Sequence, residues 1–323
     1  MPIVDMPLEE LKKYGGMNPC PPDMDEFWNR AIAEMEALDP QVELIPSKEF
    51  HTRNAECFDL YFTGVGGARV HAQYVRPVPD GKKHPAVLLF HGYTGSCGDW
   101  SHKLRYVNNG MCAAAMDVRG QGGKSEENSQ VSGNTFRGHI IRGLEDEPEK
   151  LLFRQIFLDT ALLARIVMSF EEVDENRVGA CGGSQGGALS LACASLTPDL
   201  NRISVQYPFL CDYKRVWHMD LGGGAYEELK AFFRATDPRH KKEEETFLKL
   251  GYIDLQYLVK RIRADVLWAV GLMDTTCPPS TQFAAYNKVT AKKELLVYPD
   301  FGHEGLPGID DETFMFMEKM LTE

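Results

Sequence analysis

A serine within a glycine-rich pentapeptide is the clearest chemical feature of this sequence. Gly182-Gly183-Ser184-Gln185-Gly186 matches the pattern G-x-S-x-G, and no other segment does. The preceding RVGACG has the composition of a strand and the following ALSLACASL that of a helix, which is the context of a nucleophile elbow. Small neighbours let such a strained turn form without clashes. The pattern favours Ser184 as a nucleophile over a serine in an ordinary βα turn.

A serine hydroxyl needs a base, and that base needs a group to orient it. Asp274 and His303 each follow an apolar, strand-like run. Catalytic groups of parallel sheets gather at the carboxyl ends of strands, and the order Ser, Asp, His is one that serine hydrolases use. Asp300 is a rival acid, but it shares a short loop with His303. We therefore predict a triad of Ser184, His303 and Asp274.

Acyl transfer also needs hydrogen-bond donors for the oxyanion. The backbone N–H after the nucleophile, that of Gln185, is one expected donor. The second is expected in the loop after an earlier strand, here residues 91–95 (HGYTG) after PAVLLF. The backbone N–H of Tyr93 is the natural candidate. His91 is interpreted as a hydrogen-bonded structural histidine.

Other polar residues have simpler interpretations. Arg119, at the end of MCAAAMDV, is expected to pin neighbouring loops through charge-assisted hydrogen bonds, although substrate binding is an alternative. Cys277 has no dedicated base and is expected to pack. Residues 241–245 (KKEEE) are typical of a solvated helix face. No Cys/His cluster has zinc-ligand spacing, so we predict neither a metal nor a cofactor.

Short apolar runs alternating with helical segments indicate how these residues are positioned. Such alternation predicts an α/β fold with a doubly wound, mainly parallel sheet. Residues 1–50 are predicted to form an N-terminal arm with a helix at about 24–38, and residues 211–263 a helical cap or insertion within one domain spanning 1–323. The predicted strands comprise a hairpin, 58–63 and 69–75, and six buried runs, 85–90, 111–118, 176–182, 203–207, 266–271 and 294–298.

Composition excludes several classes of function. The formal net charge of −12 argues against nucleic acid as a partner. No apolar run has the length of a membrane span, and the N-terminus lacks the pattern of a signal peptide. The eight cysteines include no C-x-x-C pair and indicate reduced thiols. We therefore expect a cytoplasmic protein that binds neither nucleic acid nor membrane.

Taken together, the motifs resemble carbohydrate esterase family 7, the acetyl xylan esterases and cephalosporin C deacetylases. The resemblance covers nearly the whole chain and rests on blocks in matching order, namely MPLEELKKY, HGYTG followed by GDW, MDVRGQG, IRGLED, GGSQGGALSLA, CPPSTQFAAYN and YPDFGHE. It implies the α/β-hydrolase fold, the triad above, and Tyr93 and Gln185 as oxyanion donors. It also implies deacetylation of short acetylated xylo-oligosaccharides and cephalosporin C by a homo-hexamer.

Two alternatives to that activity remain open. One is a broader-specificity carboxylesterase or lipase-like hydrolase with the same triad. The other is a non-catalytic α/β-hydrolase scaffold used for binding, because a fold does not dictate its function.

Overall fold

The computed structural model describes residues 4–133, 139–221 and 223–322. Within them, nine strands form one sheet in the order β1-β2-β3-β5-β4-β6-β7-β8-β9. The strands are β1 (Glu43–Pro46), β2 (Ala55–Thr63), β3 (Arg69–Pro77), β4 (His84–Phe90), β5 (Cys112–Met116), β6 (Val173–Gly183), β7 (Arg202–Gln206), β8 (Asp265–Gly271) and β9 (Lys293–Tyr298).

Six neighbouring strands of this sheet, from β5 to β9, pair in parallel. The remaining strands add an antiparallel end, in which β1 pairs with β2, β2 with β3 and β3 with β5. The predicted hairpin, the six further strands and the mainly parallel sheet are thus confirmed. The expected burial of the last strand is wrong, because β9 lies at the edge of the sheet and is only partly buried. One boundary differs, because residues 43–46 of the expected arm form the edge strand β1.

Helices follow most of the parallel strands. The α-helices of the described ranges are α1 (Leu8–Leu11), α2 (Met24–Glu36), α3 (Leu104–Val107), α4 (Leu152–Met168), α5 (Gln185–Leu196), α6 (Tyr213–His218), α7 (Glu227–Thr236), α8 (Glu243–Leu250), α9 (Leu255–Leu258), α10 (Pro279–Tyr286) and α11 (Ile309–Glu318). Among them, none combines the length and the apolar composition that crossing a lipid bilayer requires.

Most residues of β4, β5, β7 and β8 are buried because helices cover both faces of the sheet. Successive side chains of a strand point to opposite faces. In β4, Leu88 and Phe90 join the core formed with α4 and α5, whereas Val87 joins the core formed with α3 and α11. Helices therefore pack on both faces, which makes the sheet doubly wound.

The strand order reverses at β4, and this reversal creates the crevice that holds the candidate site. The chain leaves β4 for β5 on one side and later returns to β6 on the other. Connections that depart in opposite directions leave a gap at the carboxyl ends of the two strands, where ligands bind in open α/β sheets. The loop after β4 and the turn after β6 meet there.

The segment 211–263 contains helices α6 to α9 and is helical as predicted. It also contacts the N-terminal arm. The Tyr14 hydroxyl donates to Asp212 over 2.8 Å, and the ring of Phe27 on α2 lies 4.4 Å from that of Tyr252. Whether arm, insertion and sheet act as one domain stays a prediction.

Candidate active site

Ser184 occupies a strained turn between β6 and α5. Its backbone angles, φ 56° and ψ −120°, are rare for a residue with a side chain, and such strain persists only where the surroundings enforce it. The two outer glycines of the motif allow close packing beside it. A Cβ on Gly182 would lie 2.5 Å from the carbonyl oxygen of Phe90, and one on Gly186 only 2.0 Å from the same atom. These contacts explain why both positions are glycine.

The three residues predicted as a triad lie in a continuous hydrogen-bonded row. His303 Nε2 is 2.9 Å from Ser184 Oγ, and His303 Nδ1 is 2.8 Å from Asp274 Oδ2. Asp274 is fully buried, whereas 22% of the His303 side chain is exposed. The row therefore runs from a buried carboxylate to a hydroxyl beside the crevice.

Backbone donors determine how Asp274 acts on the imidazole. Its Oδ1 accepts the N–H groups of Thr276 and Cys277, each over 2.8 Å. These bonds orient the carboxylate, so that Oδ2 accepts the hydrogen bond that Nδ1–H of His303 donates. The Nε2 lone pair is then directed at the hydroxyl of Ser184. This arrangement suits His303 to act as a general base.

The two expected oxyanion donors, the N–H groups of Tyr93 and Gln185, lie on two segments that hydrogen bonds of the Gln121 side chain connect. Gln185 is the first residue of α5, where backbone N–H groups have no acceptor within the helix. Its side-chain amide and that of Gln121 exchange hydrogen bonds of 2.6 and 2.9 Å. Gln121 Oε1 also accepts the N–H of Thr94 over 2.8 Å. Gln121 thereby ties the loop that carries Tyr93 to the nucleophile elbow.

Sequence reasoning did not assign roles to Gln121, His139 or Glu228, all of which border this site. Gln121 belongs to the RGQ block, which was a usable signal. Glu228 and His139 both contact the Tyr93 hydroxyl, and their local sequences carry no sign of it.

The structure also locates the residues with alternative interpretations. Asp300 is exposed, whereas Asp274 contacts His303. Arg119 binds Asp159 through two bonds of 2.6 Å and the carbonyl of Val65 over 3.1 Å. It therefore joins α4 to the β2–β3 turn, and its predicted structural role is confirmed.

His91 and Cys277 likewise make contacts typical of structural residues. His91 Nε2 accepts the N–H of Val118 over 3.1 Å, and Nδ1 lies 2.7 Å from the carbonyl oxygen of Gly92. The thiol of Cys277 contacts Ser184, but burial and the charge of Asp274 raise its pKa well above the ordinary value. A thiol held in its protonated form is a poor nucleophile.

Two clusters of the described residues contain three potential metal ligands each, namely His71 with Cys97 and Asp117, and Asp274 with Cys277 and His303. In both clusters the ring nitrogens of the histidine already have partners. Nδ1 and Nε2 of His71 bind Asp117 and Asp59 over 2.6 and 2.8 Å. Those of His303 bind Asp274 and Ser184. A metal ion would have to displace these hydrogen bonds.

Comparisons with known proteins converge on one family. The profile of the family described as Acetyl xylan esterase (AXE1) matches residues 1–320. Acetyl xylan esterase 1 from Thermoanaerobacterium sp. JW/SL YS485 is 57% identical, with a TM-score of 0.96 over 98% of this chain and 99% of that one. The acetyl xylan esterase from Paenibacillus sp. R4 is 35% identical, with a TM-score of 0.92 over 97% and 99%.

A longer relative matches over most of this chain. Acetyl esterase Axe7A of Xylanibacter ruminicola is 26% identical over 299 residues, which are 90% of this chain. The chain spans 64% of the length of that protein.

Proposed function

The chain belongs to the acetyl xylan esterase family, and from that premise we propose that it is a serine esterase that removes acetyl groups from small esters. Its proposed substrates are short acetylated xylo-oligosaccharides, with cephalosporin C as a further acetyl ester. The observation that supports this most directly is the row of hydrogen bonds from Asp274 through His303 to Ser184. Family membership supports the acetyl group as the acyl portion.

In the proposed mechanism Ser184 Oγ attacks the acetyl carbonyl carbon while His303 Nε2 takes its proton. The C=O electron pair moves to the oxygen, and the backbone N–H groups of Tyr93 and Gln185 stabilise that oxyanion. When the tetrahedral intermediate collapses, the imidazolium gives its proton to the leaving alcohol. A water molecule, deprotonated by His303, then attacks the acetyl-enzyme and releases acetate. Asp274 stabilises the imidazolium throughout.

The surroundings of the nucleophile support a preference for small acyl groups. Phe209 is fully buried, and its N–H donates to the carbonyl of Ser184 over 3.1 Å. The Tyr207 ring centroid lies 4.6 Å from that of His303. Positive φ angles at Tyr207 and Leu210, 32° and 62°, hold this loop in a sharply folded path. Bulky groups so close to Ser184 leave little room for a long acyl chain.

The proposal extends to the setting of the enzyme. We propose that it acts in the cytoplasm as a homo-hexamer, on the basis of the motif resemblance. The cysteines agree with a reducing compartment, since all eight are free thiols. Size-exclusion chromatography with light scattering would give the mass of the assembly.

The test compares kcat/KM for p-nitrophenyl acetate, butyrate and octanoate, and for acetylated xylobiose and polymeric acetylxylan. We expect the acetate to be the best nitrophenyl ester, because each extra methylene in a shaped pocket costs about 1–3 kcal/mol. Ser184→Ala should lose activity by roughly 10⁴-fold to 10⁶-fold while remaining folded. The Asp300→Asn variant is a matched control, because this exposed carboxylate shares the loop of His303.

Each alternative corresponds to a distinct result. Octanoate cleaved as fast as acetate, or polymer cut as fast as disaccharide, would favour a lipase-like or broad carboxylesterase. Activity close to that of the wild type in a folded Ser184→Ala variant would refute the triad. Binding of acetylated sugars without turnover would favour the non-catalytic scaffold.

A further inference from the structure

A buried carboxylate in the insertion lies against the oxyanion loop and has no part in the mechanism above. Glu228, in the first turn of α7, is 4% exposed. Its Oε2 accepts the N–H of Ile140 over 2.8 Å, and its Oε1 is hydrogen-bonded to the Tyr93 hydroxyl. Burial raises the pKa of Glu228 to about 7. Burying a carboxyl group costs free energy unless the group is hydrogen-bonded, and both oxygens of Glu228 have such a partner.

The hydroxyl of Tyr93 has a second partner. His139 Nδ1 lies 3.0 Å from it, and His139 Nε2 lies 2.7 Å from the carbonyl oxygen of Gly120. The rings of Tyr93 and His139 meet edge to face at 5.2 Å, and the Phe209 ring lies 5.5 Å from Tyr93 on the loop after β7. The Tyr93 side chain is thus held by three separate parts of the chain.

The protons of this group can be assigned from its acceptors. A carbonyl only accepts, so Nε2 of His139 carries the proton and Nδ1 accepts. Burial lowers the pKa of His139 and so favours this neutral form. Tyr93 O–H can then donate to His139 while a protonated Glu228 donates to the tyrosine oxygen. If Glu228 is ionised, the tyrosine donates to it instead. In either form the hydroxyl stays bound to Glu228.

The position of the Tyr93 side chain affects the orientation of the backbone peptide that carries the proposed oxyanion donor. The proposed oxyanion donor is the N–H of the peptide between Gly92 and Tyr93. On the N-terminal side of that peptide, Gly92 allows a wide range of backbone angles and so does little to fix the peptide plane. On the other side, Thr94 has a φ of 61° and its own N–H is bound by Gln121. The carbonyl oxygen of the same peptide, that of Gly92, accepts the N–H of Gly95 over 3.0 Å and lies 2.7 Å from Nδ1 of His91. The Tyr93 side chain adds a further restraint to these hydrogen bonds.

We propose that Glu228 is a positioning residue, which holds the Tyr93 hydroxyl and thereby keeps the Tyr93 backbone N–H directed at the oxyanion. The insertion would then be part of the catalytic apparatus and would not only cover it. This inference rests on the proposed function. The competing interpretation is that Glu228 only satisfies the N–H of Ile140 and stabilises the fold.

The test is a double-mutant cycle with Glu228→Ala and Tyr93→Phe, assayed on p-nitrophenyl acetate. Tyr93→Phe removes the hydroxyl and keeps the backbone donor. Because an error of 1 Å in placement costs about 10²-fold and a lost oxyanion donor about 10²–10³-fold, we expect each single variant to lower kcat about tenfold to a hundredfold. KM should change less than about twofold, since the loss is confined to the transition state. The double variant should be no slower than the slower single variant.

Two further variants separate positioning from stability. Glu228→Gln should keep most of the wild-type kcat, because the amide can donate to the Tyr93 oxygen and accept from Ile140 as a protonated carboxyl group does. Lys230→Ala is the control on the same helix, because Lys230 is exposed and residues two positions apart on a helix do not face each other. It should match the wild type in both kcat and KM.

The proposal is overturned by wild-type kcat in Glu228→Ala, or by losses that multiply in the double variant. If Glu228→Ala does not fold, Tyr93→Phe decides, and an unchanged kcat there overturns it equally. These outcomes count only where Ser184→Ala is inactive. An active Ser184→Ala would instead refute the proposed function.

Discussion

The packing of Gly186 against Phe90 allows a quantitative prediction for Gly186→Ala. An added Cβ would lie 2.0 Å from the Phe90 carbonyl oxygen, and real contacts of this kind are not shorter than 3.0 Å. The backbone fixes the position of a Cβ, and the oxygen is itself a backbone atom, so neither can rotate away. The end of β4 and the start of α5 must therefore separate by about 1 Å, a distortion of the overpacking kind.

This displacement should act on stability and on catalysis together. Overpacking typically costs about 1–3 kcal/mol, and the better helix propensity of alanine offsets at most about 1 kcal/mol. Tyr93 lies three residues beyond Phe90, and Gln185 precedes Gly186. Moving these segments apart would separate the two oxyanion donors, and a misplacement of 1 Å costs about 10²-fold in rate.

The assay combines urea unfolding with kcat on p-nitrophenyl acetate. Gly183→Ala is the matched control, because its Cβ would meet the Tyr207 side chain at 3.4 Å, an ordinary contact. We expect the free energy of unfolding of this control to stay within about 1 kcal/mol of the wild type. Wild-type stability and turnover in Gly186→Ala would show that the elbow can relax, and would refute the reasoning.

Three more predictions follow from buried polar contacts. Asp274→Asn should lower kcat about 10⁴-fold with the fold intact, because an amide N–H facing Nδ1 forces His303 into the wrong tautomer; an activity within tenfold of the wild type would contradict this. Arg119→Met should lower the free energy of unfolding by about 3–5 kcal/mol by leaving Asp159 buried without its partner, and adding Asp159→Leu should restore part of it; a loss of less than 1 kcal/mol in urea unfolding would count against the buried ion pair. The pKa of Glu228 is raised from 4.5 to about 7, so the folded state binds this proton more tightly than the unfolded state. Below pH 4.5 the raised pKa adds about 3 kcal/mol to the free energy of unfolding, and this contribution is lost as the pH rises through 7. Glu228→Gln does not titrate, so its stability relative to the wild type should rise over this range; a constant difference would refute the shift.

Much of the site could be predicted from the sequence because its signals are local. The elbow needs glycines beside Ser184, and a strand before it and a helix after it, all within about twenty residues of one another. Asp274 and His303 each follow a strand, and the carboxyl ends of parallel strands meet at one edge of the sheet. The family resemblance is carried by the same local blocks.

The order of the strands was not readable from the sequence. Apolar runs indicate that β4, β5 and β6 are buried, but not that β4 lies between the other two. That order depends on how the connecting helices cover the two faces, and it places the loop after β4 beside Ser184. The sequence does not identify residues 43–46 as a strand, for a related reason. Most residues of β1 are exposed, so its sequence lacks the alternation of a half-buried strand. Only its hydrogen-bonded pairing with β2 identifies it as a strand.

The contact between Glu228 and Tyr93 depends most completely on the tertiary structure. The two residues are 135 positions apart, and Glu228 lies in EELK, a pattern typical of an exposed first helical turn. A sequence pattern of this kind indicates that a helix forms, but it does not indicate which part of the protein packs against that helix. Whether a carboxylate is solvated or buried against a tyrosine depends on what packs over it, and the placement of α7 beside the oxyanion loop decides that.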